Sequence, residues 1–492
     1  MRKAILEALN LARRGVQNVV LELPTGYGKT VAGPYLYKAY REAGLCWRAI
    51  HVFPLRAILH KTLERYVQSH PEIEFTYQDG DVALRQRYVK DPYFRGEYVL
   101  TTLDSFVHNL LRAPVAELHK LLDRQPRAIH YHVPFAYIYP SCVFLDEAHI
   151  AVQDESGKAT AALKASLEVL RDAEIPVVVM SATLGRWKRD FFRDFVFVEL
   201  GEKEERSGEA VIVKDGEFEK LFEETRYVVE VIEESAVEAV ARREAERGRR
   251  VLVIINNVSK VVELGKRLGA VVIHSALTRE DREQAERKLG EARIVVGTSA
   301  IEAGVDVSFD VLITSADAAE SVVQRVGRVC RYGGRCEGKL YLFGKDADVY
   351  LSVKEWRLPY REGSYRHLLR DKLEQDDGLY WLLKQITQVI HLSPQEIRQA
   401  YLRCGMSFVR NGLVEVCVDP SLRPEKCFTT SIERLSNLPI VAAVAEKCKL
   451  DPPRYEDPQD YVRWVIDAVG ICGEVPKLLM EEGSYEPGYG PR

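Results

Sequence analysis

The sequence predicts an α/β protein: two successive series of parallel α/β units followed by a C-terminal, mostly helical accessory domain. Three observations predict it. Short apolar runs alternate with helical patterns from the N-terminus to about residue 345. The runs at 142–145 and 176–180 are continuously apolar or β-branched, as in strands covered by helices on both faces. A charged, Gly-containing stretch, GEKEERSGE, interrupts the series.

Taken in order, the first domain spans 1–205, with strands expected at 19–23, 49–53, 98–102, 142–145 and 176–180. Residues 206–225 read as a linker. The second domain, 226–345, carries expected strands at 251–255, 270–273, 293–297, 311–314 and 339–343, with helices at 259–268 and 279–289 between them. From 346 to 492 the pattern is less regular, with helices at 365–389 and 394–402 and one strand at 413–418. The final EEGSYEPGYGPR reads as a disordered tail.

Composition narrows the class. The 492 residues are 46% hydrophobic and 29% charged, ordinary for a globular chain with several cores. No apolar run approaches the ~18 residues a membrane span requires, and Glu7 and Asn10 interrupt any secretory signal. A cytoplasmic location with no membrane partner is expected. A net charge of −4 argues against coating a polyanion by bulk attraction, so any nucleic acid must lie in a local groove. None of the nine cysteines forms a C-x-x-C pair, which argues against a zinc or redox motif; reduced, structural thiols are expected.

The chemistry concentrates at strand ends. Pro24, Thr25, Gly26, Tyr27, Gly28, Lys29 and Thr30 follow an apolar strand and open a helical pattern, the context of a phosphate-binding loop, although the strict pattern has Gly where this chain has Leu23. Glycines let backbone N–H groups and the helix N-terminus face phosphates. Lys29 can reach the β- and γ-phosphates of ATP, and the Thr30 hydroxyl can hold Mg²⁺. Asp146 and Glu147 follow the strand at 142–145; Asp146 suits the metal and Glu147 the attacking water. The bland reading of that pair is a helix-capping acidic cluster. Arg325, Arg328 and Arg331, beginning from Gln324, are spaced to share one helix face and to stabilise charge on a transferred phosphoryl group; an exposed basic helix is the alternative.

The ordered set PTGYGKT, DEAH at 146–149, Ser181-Ala182-Thr183, the segment 297–306 and QRVGRVCR resembles helicase superfamily 2 motifs I, II, III, V and VI. The resemblance covers residues 1–345 and implies two tandem RecA-like domains with ATP between them. It also implies that Gly304, Asp306, Gln324 and Arg325 lie near the nucleotide, while Ser181 and Thr183 relay its state. The segments FPLRA at 53–57, TTLDSF at 101–106 and NNV at 256–258, with the E-A-G-V-D element ending at Asp306, are similar to the CRISPR-associated helicase of type I interference. That similarity implies a DEAH-box ATPase moving 3′-to-5′ along the single DNA strand displaced in an R-loop by a crRNA-guided surveillance complex, an antiviral defence. Arg56, Thr102, Asn257 and Thr298 become candidates for gripping strand phosphates.

Two departures refine the expectation. Only 23 residues precede Pro24 and no His-Asp dipeptide occurs, so the resemblance implies a helicase-only form with a separate HD nuclease subunit. Residues 2–9 carry no Gln, so the family's glutamine motif for adenine is missing. The competing readings are another superfamily 2 helicase acting on RNA and a non-hydrolysing nucleic-acid clamp.

Overall fold

Parallel strands form where the chain offers β-branched and apolar runs that a sheet covered on both faces can bury. The computed structural model describes residues 1–79, 87–122, 129–152, 156–301, 307–388, 393–404, 407–409, 413–445, 448–451, 458–472 and 475–491. They fall into two units: Met1–Ala39, Val179–Lys372 and Pro487–Gly490 in one, and Tyr40–Val178, Leu373–Glu486 and Pro491–Arg492 in the other.

In the first unit, strand Asn18–Glu22 pairs in parallel with Val196–Leu200, which pairs in parallel with Ala210–Val213. A separate all-parallel sheet runs Thr225–Val231, Cys336–Phe343, Val311–Ser315, Val251–Ile254, Ile294–Gly297, Val271–Ile273. Its side chains alternate between two cores, Leu252, Ile254, Leu312 and Leu340 on one face and Val251, Val253, Val311 and Ile313 on the other. Fully burying such a side chain contributes about 1.5–3 kcal/mol relative to exposure. That two-sided burial fixes the strand ends from which the functional loops spring.

In the second unit, Phe75–Gln78, Tyr98–Thr102, Arg48–Phe53 and Ser141–Leu145 pair successively in parallel. A mixed sheet runs Cys427–Ser431, Leu413–Cys417, Lys477–Met480, Ile440–Ala445, Cys448–Leu450.

Four expectations need correction. Residues 206–225 are not a bare linker: they contain strand Ala210–Val213 and helix Gly216–Leu221, which Asp215 caps by accepting from Phe218 N at 3.1 Å. The C-terminal region is not mostly helical, since five strands accompany helices Asp377–Gln388, Pro394–Arg403 and Pro458–Cys472. Those strands are short, and the Ala-rich IVAAVA carries no clean alternation in its sequence. The last residues hold two short strands, and the Tyr489 carbonyl accepts from His274 Nε2 at 2.8 Å. Gly490 is obligatory there, with φ +99° and a notional Cβ only 2.7 Å from His274 Cε1.

The fourth correction concerns the cysteines: Cys330–Cys336, Cys417–Cys427 and Cys448–Cys472 are disulfides. Cys417 and Cys427 stand directly opposite across an antiparallel pair, a juxtaposition that linear spacing does not reveal. Cys46, Cys142 and Cys404 are buried and unpaired, as expected for structural thiols. Among the described residues, no helix is long and apolar enough to cross a membrane.

Candidate active site

The phosphate loop leaves strand Asn18–Glu22 and enters the 3-10 turn Thr30–Ala32 and helix Gly33–Glu42. Gly26 and Gly28 take φ +82° and +98°, a bend that side chains resist, and nothing lies within 4 Å of a notional Cβ on either. The Lys29 ammonium donates to the loop's own carbonyls, Leu23 at 2.8 Å and Pro24 at 3.3 Å. Tyr27 is buried, accepts from Ala4 N at 3.1 Å and donates to Asp215 at 2.5 Å. Burial and the Asp215 carboxylate push its phenol pKa upward. The Tyr27 ring therefore anchors the loop, leaving its backbone for a ligand.

Thr25, Gln324 and Thr183 come together. Thr25 Oγ1 donates to Gln324 Oε1 at 3.1 Å, and Gln324 Nε2 reaches Thr183 Oγ1 at 3.5 Å. Thr183 N in turn faces Ser181 Oγ at 3.4 Å, with both residues fully buried. The backbone of this turn is tied to Glu22, which accepts from Leu184 N at 3.3 Å and forms an ion pair with Lys188. One amide side chain thus joins three of the predicted motifs.

The arginine segment differs from expectation in shape. Its helix, Ala319–Val326, ends before Arg328, so the three arginines do not share a helical face. Gly327 terminates the helix, and Cys330 takes φ +48° beyond it. Arg325 is fully buried and donates to Thr314 Oγ1 at 2.7 Å and Asp317 Oδ2 at 2.5 Å, a bracing position inside its own domain. Arg328 and Arg331 follow in the irregular segment, the carbonyl of Arg328 accepting from Phe309 N at 2.9 Å. Gly304 and Asp306 lie outside the described residues.

In the second unit, Asp146 and Glu147 follow strand Ser141–Leu145. Asp146 Oδ1 accepts from Glu147 N at 2.9 Å. Glu147 takes the left-handed backbone, φ +46°, rare for a non-glycine and common where a side chain is aimed. Its Oε2 has no hydrogen-bond partner among the described residues, although His149 Nδ1 stands 3.4 Å away. Behind Asp146 lies fully buried His51, which burial holds neutral with a pKa of about 3. No spacing rule points to His51 or to Asp215; only the folded sheet brings them to the loops.

The candidate strand-gripping residues all sit at carboxyl ends of parallel strands, where ligands of such sheets bind. Thr102 caps helix Leu103–Leu110 by accepting from Ser105 N at 3.4 Å, and Asn257 caps Val258–Leu268 by accepting from Lys260 N at 2.9 Å. Thr298 accepts from Ala300 N at 3.4 Å. Arg56 opens helix Arg56–Ser69 and reaches Thr429 Oγ1 at 3.5 Å. Such local contacts are those a threonine at a strand end makes as a helix cap or turn residue.

Each unit by itself carries a hard oxygen of the kind Mg²⁺ takes, Thr30 in the first and Asp146 in the second, and no cluster of three His, Cys, Asp or Glu residues occurs among the described residues. Mg²⁺ ordinarily takes one or two protein oxygens and completes its shell with phosphates and water.

Residues 2–191 match the DEAD/DEAH box helicase family, and 247–334 match the C-terminal part of the CRISPR-associated nuclease/helicase Cas3. The chain is 27% identical over 363 residues to the CRISPR-associated helicase Cas3 of Thermoproteus tenax, covering 69% of this chain and 58% of that one. It is 24% identical over 355 residues to the CRISPR-associated nuclease/helicase Cas3 of Methanothermobacter thermautotrophicus, covering 64% of this chain and 39% of that one. The chain thus spans 58% and 39% of these two relatives' lengths. Among solved structures, Cas3 of T. fusca with AMPPNP has a TM-score of 0.59 at 14% identity, covering 89% of this chain and 65% of that one. That likeness bears out the α/β fold with tandem RecA-like domains. The resemblance read from the motifs is borne out as well: the homologues are Cas3-like CRISPR helicases, a family of ATP-dependent helicase enzymes.

Proposed function

We propose that this homologue of the Cas3-like CRISPR helicases is an ATP-driven, 3′-to-5′ translocase on single-stranded DNA, acting on the displaced strand of an R-loop opened by a crRNA-guided surveillance complex. The observation that carries the reading is Gln324, which links the phosphate-loop residue Thr25 to Thr183 and lies beside the arginine segment. A side chain so placed lets nucleotide state be felt by two motifs of the first domain and one of the second. Domains 1–205 and 226–345 are the two motor domains in this reading.

In the cycle, Lys29 leaves its loop carbonyls to meet the β- and γ-phosphates, and the amides at Gly26–Thr30 cradle them. Thr30 and Asp146 would hold Mg²⁺, which neutralises phosphate charge when bound. Glu147 orients and deprotonates the attacking water, while Arg328 and Arg331 stabilise charge developing on the phosphoryl group. On the family resemblance, Gly304, Asp306 and Arg325 are further candidates for holding the nucleotide. ATP favours a closed arrangement and hydrolysis an open one; Arg56, Thr102, Asn257 and Thr298 hold strand phosphates differently in the two. The protein would work in the cytoplasm with a separate HD nuclease subunit.

The test is ATP turnover with and without single-stranded DNA, single-stranded RNA or duplex DNA, with Lys29→Ala as the blank. Strong stimulation by single-stranded DNA supports the reading. Stimulation by RNA alone keeps the motor and removes the CRISPR role.

A further inference from the structure

We propose that His51 is a positioning residue for Asp146, setting the carboxylate that receives Mg²⁺. The inference rests on the ATPase reading above and adds a residue to it. His51 lies mid-strand in Arg48–Phe53, flanked in register by Leu100 and Phe144, with no exposed surface. Its ring stacks on Phe53 at 4.3 Å between centroids, so it cannot swing away cheaply. Tyr98 OH lies 2.9 Å from Nδ1, and Tyr66 OH lies 3.3 Å from the same nitrogen.

That arrangement suits one tautomer, which we assign to the ring. A tyrosine hydroxyl donating to Nδ1 leaves the single ring proton of a neutral imidazole on Nε2. Among the described residues Nε2 has no hydrogen-bond partner, and it stands 3.8 Å from Asp146 Oδ2, too far for a hydrogen bond. A buried N–H left unmade costs on the order of 1–3 kcal/mol. A shift of the Asp146 carboxylate by less than about 1 Å would close the contact. Oδ1 is already held by Glu147 N at 2.9 Å, so closing it fixes both carboxylate oxygens. Other metal-ligating side chains gain affinity from such outer-shell partners, and losing one costs 10–100-fold. A core histidine chosen only for volume would not need a ring nitrogen facing the first acid of the strand end.

The experiment measures affinity for a fluorescent ATP analogue in Mg²⁺ and in EDTA, together with the Mg²⁺ concentration giving half-maximal turnover. His51→Phe keeps the ring and removes the donor; His51→Gln returns an N–H near the Nε2 position. His51→Phe is expected to raise the half-saturating Mg²⁺ about tenfold or more, shrink the Mg²⁺ gain in affinity, and leave EDTA affinity unchanged. His51→Gln should recover part of both. Equal losses in Mg²⁺ and EDTA, or unchanged Mg²⁺ dependence, would overturn the inference. Should His51→Phe fail to fold, Tyr98→Phe removes the hydroxyl that sets the tautomer and is expected to shift Mg²⁺ dependence the same way. A wild-type protein that binds the analogue equally with and without Mg²⁺ removes the ATPase reading itself; a wild-type Mg²⁺ effect kept intact in both variants removes only the role of His51.

Discussion

The phosphate loop and the acid pair both stand at the end of a buried parallel strand, yet they hold their functional groups in opposite ways. The loop relies on glycine: Gly26 and Gly28 bend the backbone at positive φ with open space around them, and Lys29 rests on the loop's own carbonyls. The acid pair puts a non-glycine, Glu147, at φ +46° and backs Asp146 with the fully buried His51. A left-handed non-glycine costs on the order of 1–3 kcal/mol and persists only where its surroundings enforce it. The difference teaches that groups wrapping a ligand keep their freedom, whereas groups aiming at one water are fixed before it arrives.

The strongest way to break that comparison is Glu147→Gln. It keeps the backbone and size but removes the base, so turnover should fall by about 10²–10⁴ while fluorescent-nucleotide affinity stays near wild type. Comparable loss of binding would make Glu147 a scaffold residue instead. The next effect separates two arginines that the sequence treats alike. Arg328→Ala should lower hydrolysis by roughly 10³ with little change in unfolding temperature. Arg325→Ala removes a buried brace between Thr314 and Asp317 and should cost about 3–5 kcal/mol of stability. The reverse pattern in calorimetry and steady-state turnover would exchange their roles. The smallest effect sharpens the strand-end residues. Thr102→Ala should cost about 1 kcal/mol of stability through its lost cap. If Thr102 also grips the strand, affinity for single-stranded DNA drops beyond what thermal destabilisation explains; if affinity is unchanged, it is a cap alone.

The parallel core was legible because both-face burial writes itself as uninterrupted apolar runs. The strand expected at 98–102 is Tyr98–Thr102, and those at 311–314 and 339–343 fall within Val311–Ser315 and Cys336–Phe343. The glycines of the phosphate loop were legible for the same reason, since the φ values they adopt require them. What escaped depends on partners distant in sequence. Cys427–Ser431 pairs with Leu413–Cys417, and Lys477–Met480 lies between Leu413–Cys417 and Ile440–Ala445, partners far away in sequence. The shape of the arginine segment also escaped, because a three-residue spacing fits a helix even where Gly327 has ended it. His51 looked like one residue in an apolar strand; its position behind Asp146 comes from neighbouring strands in register, with the two side chains 3.8 Å apart.

Among the described residues the edge strand Thr225–Val231 pairs only with Cys336–Phe343, the last strand of its sheet in chain order, while the central strands are made in between. Synthesis therefore releases the first strand long before its one ladder partner exists. During that interval its backbone donors and acceptors meet water, a chaperone or another nascent chain. The sheet becomes complete only as residue Phe343 clears the ribosome, and translation speed through 225–343 enters its folding as a kinetic variable.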